Sequence, residues 1–118
     1  MIRIEARLDT AGILRSCRVE GHANAGPKGA DIVCAAVSTL LRTALRTLSN
    51  RNGIELRGAA PERGLLWMET DYNAEGRDFL AAVGAFLIEG LRSVSEDYPD
   101  YCDITIQAEE DNGSETGR

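Results

Sequence analysis

The sequence lacks any apolar run that approaches the roughly 20 residues needed to cross a bilayer as a helix. The residues that follow Met1 do not form the apolar stretch of a signal peptide. Only three cysteines occur in 118 residues, and their odd number and wide spacing argue against a disulfide framework. We therefore expect a cytoplasmic protein that has no membrane partner.

Clustered positive charge is also lacking. The net charge is −6, and no cluster of lysine or arginine is present to bind nucleic-acid phosphates, so no direct nucleic-acid partner is expected. Neither a glycine-rich phosphate loop nor paired C-x-x-C spacing occurs, which argues against a nucleotide or zinc site. We predict no cofactor and no metal. A modestly acidic surface would instead suit basic polypeptides such as ribosomal proteins.

The hydrophobic pattern predicts the element order ββαββαβ. Apolar and polar residues alternate in the predicted strands, and apolar residues recur at helical spacing in the predicted helices. The strands are expected at residues 2–9, 13–20 (where Arg15 breaks the pattern), 54–60, 65–70 and 102–108, and the helices at 32–50 and 74–95. Strands with one apolar face need a cover, so the predicted fold class is α+β, a mainly antiparallel sheet covered by two helices.

The predicted elements form one domain, residues 1–108, followed by an acidic tail, residues 109–118. The tail contains no apolar residue and is expected to be disordered. Cys17 and Cys102 fall on inward positions of strands and are expected in the core. The apolar residues of the second helix are expected to face inward as well: Phe79, Leu80, Val83, Phe86, Leu87, Leu91 and Val94.

His22 and Cys34 form a candidate catalytic pair. His22 is the only histidine and lies in a loop of small residues, and an imidazole can accept a proton from a thiol near neutral pH. If Asp31 is the N-cap, Cys34 is the third residue of the first helix, where unpaired N–H groups and the helix dipole favour a thiolate. The alternatives are an exposed histidine without a role and a cysteine that merely packs in the core.

Four further residues could support this pair. Ser38 lies one turn after Cys34 and could bond either near the site or back to its own helix. Asp31 could orient the histidine besides capping the helix. Gly21 and Gly29 give the loop freedom and allow a substrate backbone to approach closely. Arg42 and Arg46 are expected on a solvated helix face.

These residues resemble the signature of a known family. The segment Gly21-His22-Ala23, the spacing of twelve residues from histidine to cysteine, and the run D-I-V-C-A-A-x-S from Asp31 to Ser38 are similar to those of the bacterial ribosomal-processing cysteine protease family, Prp. The resemblance extends over nearly the whole chain, to about Ala108. Between His22 and Gly29, however, relatives usually carry an aromatic and an acidic residue that this chain lacks.

The resemblance implies a cytosolic endopeptidase with a Cys/His dyad, His22 and Cys34. It implies a substrate, a large-subunit ribosomal protein (number twenty-seven), whose short N-terminal extension is removed. It also implies a homodimer, and Asp31 and Ser38 match positions that accompany the dyad.

Two other functions remain open from the residues alone. One is a non-catalytic ribosome-assembly module that binds a basic protein tail through its acidic surface. The other is a redox enzyme or sensor that uses Cys34 as a reactive thiol.

Overall fold

The computed structural model describes residues 1–21, 28–62 and 64–110, with the side chains of residues 28–31, 61 and 62 left out. Its elements follow the predicted order ββαββαβ. They are β1 (Ile2–Leu8), β2 (Leu14–Glu20), α1 (Lys28–Leu48), β3 (Ile54–Glu62), β4 (Leu65–Tyr72), α2 (Arg77–Asp97) and β5 (Cys102–Ala108). Most of the predicted acidic tail, residues 111–118, lies outside the described residues.

The five strands form one sheet in the order β3-β4-β2-β1-β5. Three neighbouring pairs are antiparallel, and only β1 and β5 run parallel. The parallel pair arises because the chain crosses the sheet through α2 before it returns as β5. The predicted α+β class with a mainly antiparallel sheet is therefore confirmed. No helix in the described ranges is long and apolar enough to span a membrane.

The start of the first helix differs from the prediction. α1 begins at Lys28, so Asp31 is its fourth residue and the prediction that Asp31 is the N-cap is wrong. Cys34 is then the seventh residue of the helix rather than the third. The sequence signal that was missed is Pro27, since proline is favoured where a helix starts.

The core lies between one face of the sheet and the two helices. Cys17 and Cys102 are buried in it, as predicted. Phe86 was predicted to face inward, but it is 76% exposed, so that prediction is wrong. The buried stripe of α2 includes Gly84, and two residues along a helix rotate the side chain by about 200°, which turns Phe86 outward.

A β-bulge explains the broken alternation in β2. The register passes from Arg7 opposite Ser16 to Leu8 opposite Leu14, which leaves Arg15 as the extra residue. The Arg15 side chain donates from Nε to the Thr70 carbonyl at 3.1 Å.

Asp9 organises the turn that follows β1. It is 8% exposed, and its Oδ1 accepts the backbone N–H groups of Ala11 and Ile13, each at 2.9 Å. The Tyr72 hydroxyl donates to Oδ2. Burial acts to raise the pKa of Asp9, but these hydrogen bonds outweigh burial, so the pKa lies below its ordinary value of 3.8.

We expect Asp9→Asn to lower the free energy of unfolding at pH 7 by about 1–2 kcal/mol, because the bonds to a carboxylate are charge-assisted. A lowered folded-state pKa means that this stabilisation is present above pH 3.8 and is lost as the pH falls through the folded-state value. Urea unfolding at neutral and acidic pH measures both effects. A difference between variant and wild type that stays constant on acidification would contradict the assignment.

Candidate active site

At one end of the sheet, the strands β1, β4 and β5 begin and β2 ends. The register places Ile2 beside Cys102, and Glu20 between Arg3 and Leu65. The beginnings of β1, β4 and β5 therefore lie beside the end of β2. Cys34, in the second turn of α1, contributes to the pKa shift of Cys102 at the start of β5, so the early part of α1 lies near this end as well.

Gly21 fixes the chain immediately before His22. Its backbone has φ +121°, its N–H donates to the Gly64 carbonyl at 3.0 Å, and a Cβ at this position would collide with the carbonyl oxygen of Met1. Only glycine fits both the conformation and the space. Gly21 was predicted to allow a substrate backbone to approach closely. In the structure, the backbone that lies close to it is that of Met1 in its own chain. His22 itself lies outside the described residues.

Cys34 is a half-buried, free thiol in the second turn of α1 that packs against the core. The pKa of Cys102 is raised chiefly by burial, and further by Asp103 and by Cys34, so Cys34 lies within electrostatic range of the start of β5. Cys102 in turn pairs with Ile2, which a Cβ on Gly21 would also meet. The first residues of β1 therefore link the cysteine to the segment that leads to the histidine.

The other two cysteines are unsuitable as nucleophiles. Cys17 and Cys102 are almost fully buried, and burial raises the pKa of Cys17 to about 12. Among the three free cysteines, only Cys34 reaches the surface. Within the described ranges, no group of three or more His, Cys, Asp or Glu side chains could hold a metal ion.

The longer helix changes the expected hydrogen bonding around Cys34. As the third residue of a helix, Cys34 was expected among the unpaired backbone N–H groups that favour a thiolate. In a helix that begins at Lys28, the Cys34 N–H is paired with the carbonyl of Ala30, so this expectation is wrong. The free amides of α1 belong to its first turn, which begins at Lys28 and is closer in sequence to His22.

The other predicted site residues all lie on α1. Ser38 is half-buried one turn beyond Cys34, and its carbonyl accepts a bond from Arg42 Nε at 3.4 Å. Asp31 and Gly29 lie in the first turn of α1, so Gly29 is part of the helix and not of the loop. Their contacts lie outside the described side chains. Arg42 and Arg46 are exposed, as predicted.

Sequence reasoning missed Gly64. It falls between the strands expected at 54–60 and 65–70, yet its carbonyl accepts the Gly21 N–H, and its own φ of +85° requires glycine. Nothing in the sequence pattern indicates that the turn between β3 and β4 touches the end of β2, since that contact follows from the strand order.

The family comparison decides the class of protein. A family model described as cysteine protease Prp matches residues 1–103. The chain belongs to this family. This member of the Prp family is therefore a cysteine-type peptidase. No match was found among curated proteins.

Solved structures share the fold over almost the whole chain. A Streptococcus mutans protein is 26% identical, with a TM-score of 0.76 over 92% of this chain and 96% of that one. An essential ribosomal-processing protease Prp from Staphylococcus aureus, in complex with a substrate peptide, is 18% identical, with a TM-score of 0.76 over 91% of this chain and all of that one. The same enzyme with a covalently linked product peptide gives 18% and 0.75 with the same coverage.

We expect Gly21→Ala to lower the free energy of unfolding by about 2–3 kcal/mol, because it adds a collision with Met1 to a strained backbone. Gly12→Ala is the matched control, since Gly12 has φ +83° but open space around it, and its expected cost is about 1 kcal/mol. Urea unfolding compares the two variants. Equal losses would show that the contact with Met1 contributes nothing.

Proposed function

We propose that this peptidase removes a short N-terminal extension from a large-subunit ribosomal protein, number twenty-seven, in the cytoplasm. Cys34 is the nucleophile and His22 is the general base. The observation that supports this most is the half-exposed Cys34 at the sheet end where Gly21 delivers the chain to His22. The matched family region contains both residues. The free state of all three cysteines fits a reducing compartment.

The substrate part of the proposal draws on a structural relative. The Staphylococcus aureus enzyme with this fold is a ribosomal-processing protease that has been captured with a substrate peptide. The net charge of −6 on the present chain suits a basic ribosomal protein as partner. Membership of a peptidase family favours cleavage over the two alternatives, a non-catalytic assembly module and a redox thiol protein.

The reaction divides into acylation and deacylation. The imidazole of His22 takes the proton of the Cys34 thiol, and the sulfur attacks the carbonyl carbon of the scissile peptide bond. The C–N bond breaks as the imidazolium returns the proton to the leaving amine, which leaves the N-terminal fragment as a thioester on Cys34. Water, deprotonated by the same imidazole, then attacks the thioester and frees both the acid and the thiol.

The backbone amides in the first turn of α1 stabilise the tetrahedral intermediate. These amides lack partners within the helix and carry the positive end of the helix dipole. Such donors stabilise a developing oxyanion without reorganising during the reaction. Cys34 lies one turn further on and is held by packing against the core, which fixes its position relative to these amides.

We expect wild-type enzyme to make a single cut near the N-terminus of the host's own full-length ribosomal protein, and Cys34→Ala to make none. Mass spectrometry of the products measures this. Cys17→Ala is the matched control, because it deletes the same thiol group from the core and should leave cleavage intact. Cleavage by the Cys34→Ala variant would refute the mechanism, and no cut by wild type would refute the substrate.

We also propose that the enzyme is a homodimer. Phe86 is an exposed aromatic residue on the outer face of α2, flanked by the exposed Ala82 and Ala85, and a second copy could cover this surface. Light scattering should give twice the chain mass for wild type and a lower mass for Phe86→Ser at the same concentration. A monomer of wild-type protein would contradict the proposal.

A further inference from the structure

The two edges of the sheet are built differently. The edge strand β3 has an irregular register between Ala59 and Glu62, contains Pro61, and carries the exposed Arg57. Bulges, proline and charge are the usual devices that prevent an edge from pairing with another chain. The opposite edge, β5, pairs regularly with β1 over its full length and contains no proline. It is an open edge that could accept another strand.

Two hydrogen bonds show which backbone groups of β5 face outward. The Ile2 N–H donates to the Tyr101 carbonyl at 2.9 Å, and the Glu109 N–H donates to the Leu8 carbonyl at 2.8 Å. Since the groups of successive strand residues point to opposite sides, odd-numbered residues bond to β1 and even-numbered residues point away from it.

The backbone groups of Cys102, the first outward-facing residue of β5, already have hydrogen-bond partners. The Cys102 N–H donates to the Tyr98 carbonyl at 3.1 Å, and its carbonyl accepts from Ser95 Oγ at 3.1 Å. No strand lies beyond β5 in the described part of the chain. The outward-facing backbone N–H and carbonyl groups of Ile104 and Ile106 therefore have no paired strand. We call these groups the open ladder; it begins just after Cys102.

A groove runs along the same two residues. The half-buried side chains of Ile104 and Ile106 form its floor, and Arg92, Ser95 and Glu96 of α2 form its wall. Its volume is about 290 Å³. An added strand could therefore place alternate side chains against apolar surface while its backbone pairs with β5.

This edge leads away from the candidate nucleophile. β5 begins at Cys102, which lies within electrostatic range of Cys34, and a strand rises by about 3.3 Å per residue, so Ile104 and Ile106 lie about 7 and 13 Å beyond Cys102. An extended peptide covers the same distance with four residues. One polypeptide could thus reach both the thiol and the open ladder.

The charge around the edge selects a basic occupant. Glu96, Asp103, Glu109 and Glu110 lie on or beside the groove and the strand, against Arg92 of the groove and the exposed Arg3 and Arg7 of the neighbouring β1, so the edge has a small excess of negative charge. Acidic and basic surfaces attract each other and orient a partner before it docks.

We propose that an extended basic segment of the polypeptide substrate adds to β5 as a sixth strand while another part of the same chain occupies Cys34. This proposal rests on the proposed function. Main-chain pairing with Ile104 and Ile106 supplies affinity, and the groove selects apolar side chains at alternate positions. The enzyme thereby recognises an extended segment several residues long rather than the scissile bond alone.

Amide hydrogen exchange on the Cys34→Ala variant tests the pairing directly. The probe is a synthetic peptide of the first 20 or so residues of the host ribosomal protein. At saturating peptide, the exchange of the Ile104 and Ile106 amides should slow at least about tenfold, as for newly paired strand amides. The Asp103 and Thr105 amides, which already face β1, should change little and serve as internal controls.

A backbone substitution provides the second measurement. Ile106→Pro removes one outward N–H and is tolerated at such an edge position, so KM for the peptide should rise about five- to tenfold with little change in kcat. Ile106→Val keeps the N–H and should leave KM within about twofold. Urea unfolding checks that both variants fold.

The possible failures are distinguishable. Cleavage by wild type without slower exchange at Ile104 and Ile106 would overturn the edge proposal and keep the peptidase. Absence of cleavage by wild type would overturn both, since the substrate is the stated occupant. Protection of these amides without peptide, increasing with protein concentration, would assign the edge to a second copy and also overturn the proposal.

Discussion

The pairing of β1 with both of its neighbours holds the candidate site together. β1 lies between the antiparallel β2 and the parallel β5, and its first residues contact both Gly21 and Cys102. Through β2 it positions the chain that leads to His22, and through β5 it positions Cys102, which lies within electrostatic range of Cys34. A sheet pair buried on one face is fixed in register, because a slip by one residue would turn its apolar side chains to solvent. The residues of the candidate site that lie at this end of the sheet are therefore held in a fixed register.

Burial separates the three cysteines by function. Two are enclosed in the core, where an ionised thiol would be costly, and they act as small apolar side chains. Cys34, in the second turn of α1, packs against the same core yet is only half-buried. The core thus holds the candidate nucleophile in place while the residue stays half-exposed, as a preorganised catalytic group requires.

Periodicity predicted the fold well because each strand has one apolar face and each helix one apolar stripe. It failed where a single side chain departs from that stripe, as Phe86 does, and where a capping preference competed with a stronger start signal, as at Asp31 and Pro27. The pair His22 and Cys34 could be proposed from residue chemistry and family resemblance. The contact of Gly64 with Gly21, and the open edge of β5, could not be predicted, because both depend on strand order and on the direction of backbone groups.

The central claim is that His22 and Cys34 act as one catalytic unit. Its most direct test is a double-mutant comparison of kcat/KM on the host ribosomal protein for His22→Ala, Cys34→Ala and the combined variant. Residues that act as a unit give grossly non-additive losses, so each single variant should lose about 1,000-fold or more and the double variant no more than the worse single one. Retention of activity within about tenfold by His22→Ala, or losses that multiply in the double variant, would contradict the account.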